Sequence, residues 1–134
     1  AEFAATHQIL TMCYNPLAGG MLARRPDPQT APSRFATSSL AAMYKERYWS
    51  AELLTAVNPL ADVADQAGMS LAELNLRWVA SQPATGALLL GGNRTEQLLA
   101  NLDFLARGPL PEDVSTACTA ISTPLMGAMP PYNR

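Results

Sequence analysis

Two places in the chain put paired glycines beside groups able to hold an anion. At the first, within ILTMCYNPLAGGML, the apolar run Ile9 to Tyr14 breaks into Asn15-Pro16 and then Gly19-Gly20. At the second, Gly86-Ala87-Leu88-Leu89-Leu90 runs into Gly91-Gly92, followed at once by Asn93, Arg94 and Thr95. A glycine carries no Cβ, so the backbone there turns tightly or lets a ligand come close. A helix that begins just after such a pair aims free N–H groups and the positive end of its dipole at one point, which is the chemistry of phosphate binding. A helix capped without any ligand reads the same way, as does a loop that merely turns. The pair Gly91-Gly92 lacks the spacing of a dinucleotide fingerprint and of a P-loop. Arginine supplies the rest: Arg34, and Arg47 in the cluster Tyr44 to Trp49, carry guanidinium groups that grip carboxylate or phosphate bidentately. That same cluster also fits an amphipathic turn whose aromatics cap the core while the charges face water.

These groups need elements to position them. Ile9 to Tyr14 has the content of a buried strand, and Pro16 ends it by removing a donor and restricting φ. Gly86 to Leu90 is apolar at every position, which suits a strand covered on both faces as in a parallel sheet. Ligands of α/β proteins sit at the rim where such strands end. Glu2 to His7 reads as the end of a helix feeding the first strand, and His7, the single histidine, lies away from the rim as a surface or packing residue. Ala23 to Ser33 is a Pro-rich loop, either a lid or a simple mobile connection. Ser50 caps a helix in which Leu53, Val57, Leu60, Ala64 and Ala67 form one apolar face packed on a sheet, and Pro59 kinks or splits it. Gly68 ends that helix, and Ser70-Leu71-Ala72-Glu73 is a capping box that opens the next, with Leu71, Leu74 and Trp78 on one face. The helix after Gly91-Gly92 carries Asn93, Arg94 and Thr95 in its first turn and buries Leu98, Leu102 and Leu105. Pro111-Glu112-Asp113 opens a last helix containing Val114, Ala117 and Ile121, and Pro124 ends it.

Composition narrows the field. The chain has 134 residues, 49% hydrophobic and 15% charged, with a formal net charge of −2. That length supports one core and no second domain. The low charged fraction points to apolar surface meant for burial against something outside the chain. Acidic balance with thinly spread arginines argues against nucleic acid, and no apolar run approaches the roughly 18 residues that cross a bilayer. The amino terminus lacks the pattern of a signal peptide and an initiating Met, which points to a start inside a longer chain. Cys13 and Cys118 have no CxxC partner and read as reduced, buried thiols of a cytoplasmic protein.

Taken together, YNPLAGGML, SRF, MYKERYW, SLAELNLRW, GGNRTEQLLANL, GPLPEDV and PPYNR resemble, in the same order, the carboxyl-terminal part of an aldo-keto reductase. The wording is most similar to the branch of aflatoxin-aldehyde and succinic-semialdehyde reductases. The resemblance implies an α/β fold: residues 1–134 as the carboxyl-terminal portion of one (β/α)8 TIM barrel, the last two strands with their helices, incomplete as a barrel. Such enzymes use NADPH to reduce aldehydes and ketones to alcohols.

By that resemblance Tyr14 lies against the nicotinamide, and Asn15, Pro16, Leu17, Ala18, Gly19, Gly20, Met21, Leu22 and Arg24 wrap the pyrophosphate and ribose. Arg34 adds a positive contact, and Asn93, Arg94, Gln97 and Asn101 hold the adenosine 2′-phosphate end. Tyr44, Arg47 and Arg134 look like substrate contacts, favouring a carbonyl substrate that carries a carboxylate. The chain departs from the family at Ala23-Arg24, where a small residue and Gly are usual. It also lacks the catalytic Tyr, Lys, Asp and His, which belong to earlier strands, so no catalytic residue is assigned and no turnover is expected of the chain alone. The partner would be the missing half of the barrel, or a second copy. Two other readings stay open: a non-catalytic NADP-binding or regulatory module, and a structural remnant that folds by oligomerising.

Overall fold

The computed structural model describes residues 2–26 and 32–125. Arg134, the tail PPYNR and part of the Pro-rich loop lie outside the described residues.

The chain enters through a short helix α1 (Glu2–Thr6) and a strand β1 (Met12–Tyr14). It makes a 3₁₀ turn at Ala18–Gly20 and then four helices, α2 (Ser33–Ala36), α3 (Ala41–Tyr48), α4 (Ala51–Gln66) and α5 (Leu71–Ala80). Strand β2 (Ala87–Leu89) follows, then α6 (Thr95–Ala106), α7 (Glu112–Ser122) and a closing 3₁₀ turn at Thr123–Leu125. The strands pair in parallel, Met12 opposite Ala87, Cys13 opposite Leu88 and Tyr14 opposite Leu89. A helix-rich chain around a two-stranded parallel sheet is thus what the alternating pattern produces.

Both strands are shorter and wetter than their apolar text implies. Leu10 is 73% exposed, Met12 56%, Tyr14 51% and Leu89 51%, so the expectation of strands buried on both faces fails. Side chains at alternate positions share a face, and Met12, Tyr14 and Leu89 occupy one that no layer covers among the described residues. The same correction applies to α6: Leu98 and Leu102 are exposed, and the residue it buries is Asn101. Its chief neighbour is α5, which leaves the leucine stripe on the far side.

The core lies among the helices. Phe35, Val57, Leu74 and Leu76 are fully buried, joined by Ala18, Met21, Ala61, Ala64, Leu71, Leu110 and Cys118. Helix α4 packs mainly on α7 and α5, where a sheet was expected. It also runs unbroken through Pro59. Pro59 and Thr55, whose carbonyl loses its helical donor, both face solvent, where water can satisfy that oxygen. Ser50 caps α4 by accepting the Leu53 N–H at 3.2 Å.

Ser70 caps α5 in the same way, accepting the Glu73 N–H at 3.1 Å. The reciprocal half of the capping box is replaced by something stronger. Glu73, only 3% exposed, accepts from Arg77 Nη1 at 2.7 Å and from Arg107 Nη1 at 2.8 Å. Arg77 also donates through Nε to the Gly108 carbonyl at 2.8 Å and through Nη2 to the Pro109 carbonyl at 2.7 Å. The network ties α5 to the end of α6 and to the turn before α7.

Cys13 and Cys118 are both free, as expected, but only Cys118 is buried; Cys13 is half-buried, its Sγ 3.6 Å from Thr85 Oγ1. Burial pushes the Cys118 thiol from an ordinary 9.0 up to about 11.

Two measurements test this account. Glu73→Ala should lower the unfolding free energy by about 3 kcal/mol in urea, because it strands a buried guanidinium. Arg107→Ala, whose side chain is 56% exposed, should cost under about 1 kcal/mol. Between pH 9.0 and about 11 the unfolded chain has released the Cys118 proton while the folded chain keeps it. Stability should therefore fall as pH rises through that window, and Cys118→Ala should remove that part of the decline.

Candidate functional site

Parallel pairing places the segments after β1 and β2 at the same end of the sheet. A cleft of about 560 Å³ opens there. One wall comes from the loop after β1: Asn15, Leu17, Gly19, Gly20, Ala23 and Arg24, with Pro32 and Arg34 beyond it. Gly91, Gly92 and Asn93, with Gln97, Ala100, Asn101 and Phe104 of α6, form the other. Ser70 and Ala72 at the start of α5 complete it.

The first wall is a tightly wound backbone. Asn15, Ala18, Gly19 and Gly20 all have positive φ, at 55°, 48°, 70° and 101°. Asn tolerates that region because its side chain can bond locally; Ala18 has no such help and stores strain. Asn15 Oδ1 accepts the Gly19 N–H at 2.9 Å, and its Nδ2 donates to the Tyr48 hydroxyl at 2.9 Å. The Ala18 N–H reaches the Asn15 carbonyl at 2.9 Å and the Gly20 N–H the Leu17 carbonyl at 2.8 Å. Asn15 is thus the keystone of the turn.

The two glycines have different reasons. A Cβ on Gly19 would fall 2.7 Å from Tyr44 Cδ1 and 3.3 Å from Phe35 Cε2, so the close approach there is to an internal aromatic ring. At Gly20 the nearest atom is Pro32 Cβ, at 3.6 Å. Tyr44 packs on this turn, contacts the rings of Phe35 and Tyr48, and accepts from Arg34 Nη1 at 2.8 Å. The Arg34 guanidinium also stands 5.7 Å from the Tyr44 ring centroid, which fixes its direction.

On the second wall, Gly91 has open space where a Cβ would stand. Among the described residues no side chain caps α6, whose N-cap is Arg94; the Gln97 N–H is taken by the Arg94 carbonyl at 3.2 Å, which leaves the N–H groups of Thr95 and Glu96 at the helix start. Helix α6 starts later than the sequence pattern implies, with Asn93 and Arg94 ahead of its first turn.

Nine of the fifteen residues that the resemblance gives to the cofactor line this one cleft, Asn15, Leu17, Gly19, Gly20, Arg24, Arg34, Asn93, Gln97 and Asn101, and the glycine pair Gly91-Gly92 lines it too. Others do not. Ala18 and Met21 are buried behind the turn, and Arg94, Tyr44, Arg47, Tyr14, Pro16 and Leu22 lie outside the cleft lining. Tyr14 ends β1, half-exposed on the uncovered sheet face. The pattern reading missed Ser70, Ala72, Ala100 and Phe104; Ser70 announced itself only as a cap, and nothing in the spacing ties α5 to the rim.

Electrostatically the cleft is one-sided. Two guanidinium groups and four carboxamides line it, with no carboxylate among the described residues. That donor set, with glycine backbone and an uncapped helix start, suits a phosphate-bearing ligand. Among the described residues no His, Cys, Asp and Glu group could hold a metal ion, and no helix is long and apolar enough to cross a membrane.

Gly19→Ala should destabilise the chain by at least about 1–2 kcal/mol from its φ alone, and more because the Tyr44 ring must move. Urea unfolding measures the loss, and near-ultraviolet circular dichroism reports the ring.

Comparison with known proteins fits this arrangement. The model of the aldo/keto reductase family matches residues 1–123. An aldo-keto reductase of Pseudocercospora fijiensis is 33% identical over 113 residues, covering 78% of this chain and 38% of the relative. A protein of Arabidopsis thaliana named as a probable voltage-gated potassium channel subunit beta is 31% identical, covering 78% of this chain and 32% of its own. An uncharacterized oxidoreductase of Bacillus subtilis is 28% identical, over 72% of this chain and 29% of its own. The chain thus spans about a third of the length of these curated relatives. The matched family model, covering nearly the whole chain, assigns it to the aldo/keto reductase family, whose fold is a (β/α)8 barrel.

Proposed function

We propose that the chain is the NADPH-binding, carboxyl-terminal portion of an aldo-keto reductase barrel, with β1 and β2 the last two of its eight strands. The observation that carries the reading is the shared cleft: two glycine turns, Arg24, Arg34, Asn93, Gln97 and Asn101 meet at the carboxyl ends of two parallel strands. In this reading the turn from Asn15 to Arg24 receives the pyrophosphate and ribose, and Arg34 adds charge. Asn93, Gln97 and Asn101 face the adenosine 2′-phosphate end. Arg94, outside the cleft lining, serves that end only from the flank, which gives Arg24 and Arg34 the larger electrostatic part. Tyr14 at the end of β1 faces the nicotinamide side. The cofactor, when bound, supplies hydride to an aldehyde or ketone.

The Tyr, Lys, Asp and His that complete the chemistry belong upstream of this chain, on the missing part of the barrel. Substrate selection in the semialdehyde-reductase branch would then involve Tyr44, Arg47 and Arg134. Tyr44 is half-buried against Gly19 and Arg34, so it would act on substrate through the loop it supports. The protein would work in the cytoplasm, its uncovered sheet face joined to the rest of the barrel or to a second copy.

A second reading is a binding module that recognises NADP without turnover. Its specific support is the similarity to a relative named as a potassium channel subunit. Both readings require nucleotide affinity and differ only in catalysis by the completed protein.

Titration with NADPH, followed by tryptophan fluorescence, tests the common part, since Trp49 stands beside Gly20 and Arg24 in the packing of the loop. Arg24→Ala and Arg34→Ala should each weaken binding about tenfold or more, as loss of a charge-assisted hydrogen bond does. A folded chain with no response to NADPH would overturn the reading.

A further inference from the structure

Resting on that cofactor reading, we infer that Tyr48 is a positioning residue: its hydroxyl fixes the plane of the Asn15 carboxamide, so that Asn15 offers an N–H to a phosphate oxygen of the bound dinucleotide.

Asn15 is the first residue after β1, and it borders the cleft. Its carboxamide has an acceptor end and a donor end, and the fold engages both. Oδ1 accepts the Gly19 N–H at 2.9 Å, while Nδ2 donates to the Tyr48 hydroxyl at 2.9 Å. The last torsion of an asparagine side chain is broad, so a single hydrogen bond lets the amide plane turn. Two bonds at opposite ends fix it. An amide nitrogen carries two N–H groups, and Tyr48 takes one of them. The second stays on the nitrogen that Tyr48 anchors, and it is the donor this wall gives to a phosphate oxygen.

Tyr48 is placed for this work and no other contact with the ligand. It is the last residue of α3, half-buried against the core, with its ring 6.0 Å from that of Tyr44. Tyr44 lies one helical turn earlier, and its ring stands where a Cβ on Gly19 would fall. Residues four apart share a helix face, so α3 turns one tyrosine toward each of the two residues that the Asn15 Oδ1 bond joins. Tyr48 itself does not line the cleft, so its influence on a ligand there must pass through Asn15.

The test combines NADPH titration by tryptophan fluorescence with nuclear magnetic resonance of the nucleotide-free chain. Tyr48→Phe removes one oxygen and keeps the ring. It should weaken NADPH about fivefold, as loss of a neutral hydrogen bond does, shift the Asn15 side-chain amide resonances and quicken exchange of the Gly19 amide. Asn15→Asp keeps one acceptor for the Gly19 N–H and another for the Tyr48 hydroxyl, but it has no donor. Its Gly19 amide should stay protected while NADPH weakens about tenfold or more. Asn15→Gly keeps a positive φ without strain, and in that background Tyr48→Phe should weaken NADPH no further, because the side chain it acts through is gone. Unchanged NADPH affinity and unchanged Asn15 amide resonances in Tyr48→Phe would overturn the positioning role alone. A Tyr48→Phe effect that persists in the Asn15→Gly background would also overturn it, by separating Tyr48 from Asn15. Full NADPH affinity in Asn15→Asp would overturn the donor. A folded, unmodified chain that takes up no NADPH would overturn the cofactor reading and this inference together.

Discussion

The whole arrangement depends on two strands of three residues each running the same way. Parallel pairing obliges the chain to return to its starting edge before the second strand begins, and here α2, α3, α4 and α5 fill that return. The register that sets Tyr14 opposite Leu89 also fixes where each strand releases its chain. Asn15 and Gly91 consequently emerge side by side. Had the strands run antiparallel, the two glycine turns would sit at opposite ends of the sheet and no cleft would join them.

What keeps the return path rigid is ionic and aromatic as well as aliphatic. Glu73 gives both carboxylate oxygens to arginines on different parts of the chain, and through Arg77 reaches two backbone carbonyls that α6 and its following turn leave without partners. A buried carboxylate is tolerated only when so completely engaged. On the other flank Phe35, wholly buried, sits 5.0 Å from the Trp49 ring and 5.8 Å from that of Tyr44. The helical layer is therefore pinned at both ends, and the cleft walls inherit that stiffness.

Much of this was readable from the chain. Ser50 and Ser70 announced their helices, and the apolar spacing of α4 and α5 showed which faces go inward. Paired glycines after apolar runs marked the two turns that share the cleft. The failures have physical causes. Apolar text in β1, β2 and along Leu98 and Leu102 says that a surface avoids water, and says nothing about whether its cover belongs to the same molecule. Pro59 was expected to kink or split its helix, and α4 is not split there, because the lost hydrogen bond falls on the wet side. Glu73 matched a local capping pattern, but partners 4 and 34 residues away outbid the local one, a long-range outcome that spacing cannot reveal. Ser70 and Ala72 joined the cleft because of helix packing, which leaves no mark in sequence.

The bare face of the sheet has a thermodynamic meaning of its own. Met12, Tyr14 and Leu89 shed water only when some other surface lies over them, and that gain is realised in the covered form alone. Each strand also keeps one edge without a neighbour among the described residues. A surface that covered this face would bind the folded form alone, and would therefore raise the melting temperature in step with its own concentration.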